Sequence, residues 1–61
     1  MAKLNTMSTQ QELKVIGVLL EEAMEYGLEA EVVYSALKAM QEDNTLHPSQ
    51  AVQYAMEDWI K

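Results

Sequence analysis

Cysteine, phenylalanine and arginine are absent from the 61 residues of this chain, and it carries one proline and two glycines. Without cysteine, neither a disulfide nor a thiolate-held zinc ion can brace so small a fold, and nothing hints at an oxidising compartment. Positive charge is scarce: four lysines stand against ten Asp and Glu, for a net charge of −6. A surface with no basic patch cannot neutralise phosphates, which disfavours direct binding to nucleic acid or to an anionic membrane. Long apolar runs are missing as well. The longest, "VIGVLL" at residues 15–20, is far short of the roughly 18 to 20 residues that span a bilayer, and the amino end "MAKLNTMSTQQ" is polar. These absences lead us to expect a soluble, unprocessed, cytoplasmic protein without a cofactor, a membrane partner or a small-molecule substrate.

What is present reads as helix. Hydrophobic residues make up 49% of the chain, too many for a disordered segment, and the alternating β-branched runs of strands do not occur. A capping box at "STQQEL", from Ser8 with Gln11 or Thr9 with Glu12, opens a first helix that stops at Gly27. Residues 1–7 precede the cap and are expected to form a flexible tail. A second helix runs through "LEAEVVYSALKAMQED" toward Asn44 as its C-cap, with Glu29 and Glu31 favourably placed near its start. The third begins at Pro48, whose fixed φ and missing N–H suit the first helical position. The connections are short, so the expected fold is all-α: a short antiparallel three-helix bundle over about 8–26, 29–43 and 48–60, open to completion by homo-oligomerisation. Residues 8–61 form its single domain. A domain of this size buries only about 60% of the surface of its unfolded chain, so added area from a partner subunit would matter.

At about 100° per residue, Leu13, Ile16, Leu20, Ala23 and Met24 share one face of the first helix. Val33, Ala36, Leu37 and Met40 make the stripe of the second helix. Val52, Ala55, Met56, Trp59 and Ile60 make that of the third. The expected core is therefore Leu13, Ile16, Leu20, Met24, Val33, Leu37, Met40, Val52, Met56 and Trp59, with Trp59 closing the end of the bundle against the first helix and its N–H in water. Val15, Leu19 and Tyr26 widen the apolar arc of the first helix to roughly 200°, and Val18 falls among its polar residues. That excess is either internal, since each helix of a bundle touches two others, or a self-association surface formed by Val15, Val18, Leu19 and Tyr26.

Chemistry is thinly represented. His47 is the single histidine, and with no cysteine near it reads as a loop residue rather than a ligand or base. Its neighbour Ser49 is not thereby oriented for proton transfer. The carboxylates Glu21, Glu22 and Glu25 lack the Glu-x-x-His partners of a di-iron bundle, and "QEDNT" at 41–45 lacks the spacing and glycine of a calcium loop. No catalytic, cofactor or metal residue is therefore assigned, and the chain is read as non-enzymatic.

The charge pattern is less ordinary. Carboxylates crowd the C-terminal ends of all three helices, where they oppose the macrodipole, and Glu57 with Lys61 is the one well-ordered i, i+4 pair. Folding up-down-up gathers Glu21, Glu22, Glu25, Glu29, Glu31, Glu57 and Asp58 at one pole. That pole is either a solubilising surface or a docking site for a basic protein.

Residues 28–61, "LEAEVVYSALKAMQEDNTLHPSQAVQYAMEDWIK", place a helix ending "ALKAMQED" before a short loop and a "PSQAVQYAMEDW" helix. This pattern resembles small uncharacterised helical proteins of Gram-positive bacteria and their phages. The resemblance covers about half of the chain and implies no activity, cofactor or catalytic residue; it implies a protein that acts by binding another. Two expectations follow: a self-associating interaction module that uses the first helix, or an accessory inhibitor that sets its acidic pole on a basic, nucleic-acid-binding host protein.

Overall fold

A reciprocal cap starts the first helix. In the computed structural model, which describes residues 8–60, the Ser8 hydroxyl accepts the Gln11 amide at 3.1 Å and Gln11 Oε1 accepts the Ser8 amide at 3.1 Å. The expected tail at 1–7 and Lys61, the expected partner of Glu57, lie outside the described residues. Helix α1 spans Thr9–Glu25 and ends in a Schellman motif. Leu28 N–H returns to the Ala23 carbonyl at 3.0 Å and Gly27 N–H to that of Met24 at 3.1 Å. Gly27 closes it at φ +70°, in the left-handed region that a side chain disfavours.

Helix α2 spans Glu29–Glu42 and is capped at Asp43, one residue before the expected Asn44. The Asp43 side chain supplies the reason. Its Oδ1 accepts the Thr45 hydroxyl at 2.6 Å and the Thr45 amide at 3.1 Å, while its carbonyl accepts Leu46 N–H at 3.1 Å, so the turn is built on Asp43. The Thr45 hydroxyl, then the Thr45 amide, holds this carboxyl below its ordinary value. The turn's contribution to stability is therefore present above the unfolded carboxylate value near about 4 and is lost as pH falls through the lower folded value. An NMR titration should show the Asp43 and Thr45 amide shifts moving together, with a midpoint below the ordinary aspartate value.

Helix α3, Pro48–Trp59, begins with Pro48 at its first position as expected. Its orphan amides find two partners. Gln50 Oε1 accepts the His47 amide at 3.1 Å, and a residue from another helix, Glu12 of α1, accepts the Ser49 amide at 2.9 Å. The Glu12–Ser49 bond joins the starts of α1 and α3, while Leu19 and Glu22 share a hollow with Met56, Glu57 and Ile60 near their ends. The two helices thus run in the same direction with α2 antiparallel to both, in the up-down-up order the short connections predict.

The core is small and rich in alanine: Ala23, Val32, Ala36, Ala51, Val52, Ala55 and Met56. Packing is uneven, because α2 lies closely on α3, α1 leans on α3, and α1 and α2 touch least. Small side chains at 23, 36, 51 and 55 let the backbones approach closely, and the bulkier residues are turned aside. On α1 the buried and half-buried residues are Glu12, Val15, Ile16, Leu19, Leu20 and Ala23; on α2 they are Val32, Ser35, Ala36, Ala39 and Met40, with Leu28 half-buried just before its start. The stripe is rotated from the face that hydropathy marks by roughly 60° on α1, which keeps Ile16, Leu20 and Ala23, and by roughly 90° on α2, which keeps Ala36 and Met40.

The consequence corrects half of the expected core. Leu13, Met24, Val33 and Leu37 are exposed at 64%, 60%, 38% and 57%, because α1 and α2 both turn toward α3 rather than toward each other. Ile16, Leu20 and Met40 are half-buried, and Val52 and Met56 are buried. Trp59 is also corrected. It is 45% exposed, and its Nε1 donates to Ser35 Oγ of α2 at 2.8 Å, so it packs on α2 rather than α1 with its N–H satisfied. Among the described residues, no helix is long and apolar enough to cross a membrane.

Candidate interaction surface

Rotating two stripes toward a common third helix opens a gap between them. Ile16 and Leu20 of α1 face Val33, Leu37 and Met40 of α2 across a groove floored by Ala36, Val52 and Pro48. Its volume is about 230 Å³, and no polar atom lines it. Leu13 and Met24 stand on the same side of α1, two turns before and one turn after Leu20, and lengthen that wall. Five side chains that periodicity marks as core, Ile16, Leu20, Val33, Leu37 and Met40, therefore line one open apolar channel.

Gly17 lies on the same side of α1, between Leu13 and Leu20. A glycine inside a helix costs about 1 kcal/mol relative to alanine. Among the described residues nothing requires one here, since a Cβ at Gly17 would meet none of their atoms within 4 Å. Gly17→Ala is expected to stabilise the isolated chain by about 0.5–1 kcal/mol in urea unfolding.

The outer face of α1 is a separate feature. Val18 and Tyr26 are exposed and Val15 half-buried there, whereas Leu19, expected beside them, packs against the core and faces α3 at Met56 and Ile60. Gln11, Lys14, Val15, Val18 and Leu19 border a shallow hollow of about 440 Å³ there, in which a charged and an amide side chain interrupt the apolar lining.

All seven acids of the expected pole, Glu21, Glu22, Glu25, Glu29, Glu31, Glu57 and Asp58, are exposed. Of these, Glu22 and Glu57 border one shared hollow of about 240 Å³ together with Leu19, Gln53, Met56 and Ile60. No helix carries a basic residue in its last turn. Among the described residues, no group of three or more His, Cys, Asp or Glu is arranged to hold a metal ion. His47 is exposed at the start of α3, where its amide caps back onto Gln50.

Sequence reasoning missed Glu12. It was visible only as a partner for Thr9 in a local cap. Instead it is 9% exposed, with one carboxylate oxygen on the Ser49 amide and Oε2 buried without a partner among the described residues. A carboxylate here satisfies an orphan N–H and complements the positive end of the α3 dipole. No local pattern signals a cap supplied from 37 residues away. Glu12→Ala is expected to cost about 1–2 kcal/mol, read as a lower urea midpoint, with Glu12→Gln recovering part of the loss because an amide oxygen can still accept.

No family model, curated protein or solved structure matches this chain.

Proposed function

We propose that this chain is a non-enzymatic protein–protein interaction module whose docking surface is the apolar groove between α1 and α2. The observation that carries the reading is the groove itself: Ile16, Leu20, Val33, Leu37 and Met40 lining one open channel, with Leu13 and Met24 extending it. Exposed hydrophobic side chains scattered singly are ordinary, whereas a contiguous concave strip of them between two parallel-walled helices is the shape that accepts an amphipathic helix. Self-association through the first helix then uses the groove wall of α1 in preference to its outer face at Val15, Val18 and Tyr26.

The test is a titration of the isotope-labelled chain with a short, uncharged amphipathic helical peptide. Amide shifts should concentrate on the α1 and α2 walls and vanish in a Leu20→Asn/Leu37→Asn variant. Binding that survives in the variant, or that maps to Val18 and Tyr26, would refute the reading. A second reading, an inhibitor that docks its acidic pole on a basic protein, draws on Glu22 and Glu57 sharing one hollow. It requires binding that weakens steeply with salt and with Glu22→Lys or Glu57→Lys.

A further inference from the structure

Resting on that reading, we infer that the occupant of the groove is a second copy of this chain, paired about a two-fold axis that passes through Gly17. Three features of α1 point to this occupant. Helix α1 spans Thr9–Glu25, so Gly17 is its central residue, and it is the one position on the groove side where a neighbouring backbone meets no side chain. Glycine is the residue used where backbones approach closely, and at Gly17 nothing among the described residues makes that approach.

Two of the apolar residues, Leu13 four positions before this centre and Leu20 three after it, lie at nearly matching distances on either side. With two α1 helices antiparallel and crossing at Gly17, Leu13 of one copy comes against Leu20 of the other, and the relation is repeated by the symmetry. Charges follow the same rule. Lys14, which also borders the outer hollow, lies three residues before Gly17 and Glu21 four after it, roughly 60° and 40° round α1 from Gly17. Each Lys14 is thereby set beside the other copy's Glu21, which relieves a body that is otherwise strongly acidic.

The available area suits a reversible dimer. Helix α1 has 17 residues, which makes it roughly 25 Å long, and two adjacent helices are about 20 Å across. The face they present is on the order of 500 Å² in projection, with a larger corrugated surface, against about 600–1,000 Å² per partner in standard interfaces. Covering Leu13, Met24, Val33 and Leu37 would supply the buried surface that so small a chain lacks alone.

Sedimentation equilibrium over a concentration series, with circular dichroism to follow helicity, decides the matter. Wild type should be a dimer at roughly 100 µM and dissociate on dilution, with a dissociation constant in the micromolar range. Gly17→Leu, which adds a good helix former at an exposed site, should keep or raise helicity and yield a monomer. Glu21→Lys should weaken the dimer roughly tenfold, and adding Lys14→Glu should restore it. A wild-type monomer throughout, a dimer indifferent to Gly17→Leu, or a charge swap no better than its single parent would each overturn the two-fold pairing. If the uncharged peptide binds the groove while wild type stays monomeric, or if Leu20→Asn/Leu37→Asn abolishes assembly and Gly17→Leu does not, the pairing fails and the docking groove stands.

Discussion

Met56→Ala is expected to remove about 2–5 kcal/mol of stability, while Leu37→Ala removes less than about 1 kcal/mol at concentrations where the chain is monomeric. Hydropathy alone would assign the two residues similar costs, because both lie on the apolar stripe of their helix. The structure separates them: Met56 is 7% exposed in the cluster with Val32, Ala36 and Ala55, whereas Leu37 is 57% exposed on the groove wall. At about 0.05–0.15 kcal/mol per residue, the whole chain has on the order of 3–9 kcal/mol to lose. Met56→Ala should therefore leave a substantial unfolded population at room temperature, and Leu37→Ala should melt close to wild type. Thermal melts by circular dichroism, run dilute, measure both. Equal losses would mean that α1 and α2 close on each other and that no groove exists.

The second large effect is on assembly rather than folding. Leu20→Asn/Leu37→Asn puts an amide on each wall of the groove, where a docked partner would strip it of water without offering a hydrogen bond. An unsatisfied buried polar group costs about 1–3 kcal/mol. Two of them, added to the lost apolar burial, should weaken groove-mediated association by roughly a hundredfold or more. The folded chain should tolerate the change, since Leu37 is exposed and Leu20 half-buried. Isothermal dilution calorimetry of the variant beside wild type reads the difference. Association that is unchanged would relocate the interface to another surface.

Much of the fold was legible because its determinants are local. The Ser8 and Gln11 box, Gly27 in the left-handed region and Pro48 at the first position of α3 are each decided by residues a few positions apart, and the three helices follow from them. The core was only half legible. Periodicity reports which face of a helix is apolar, but the rotation of that face toward its neighbours depends on how closely the backbones approach, and here alanines at 23, 36, 51 and 55 set that distance. Of the residues displaced from the expected core, Val33 and Leu37 line the candidate groove, and Leu13 and Met24 stand on the same side of α1. Glu12 was illegible for a different reason: its partner, the Ser49 amide, belongs to another helix, and a backbone donor leaves no mark in the sequence.

The groove as the surface of association is tested most directly by recording amide spectra of the isotope-labelled wild-type chain from about 10 µM to about 1 mM, a range that brackets a micromolar dissociation constant. The structure leads us to expect concentration-dependent shifts at Leu13, Gly17, Leu20, Met24, Val33 and Leu37, with Val18, Tyr54 and Glu57 unmoved. Shifts centred on Val15, Val18 and Tyr26, or spectra that do not change over the range, would contradict it.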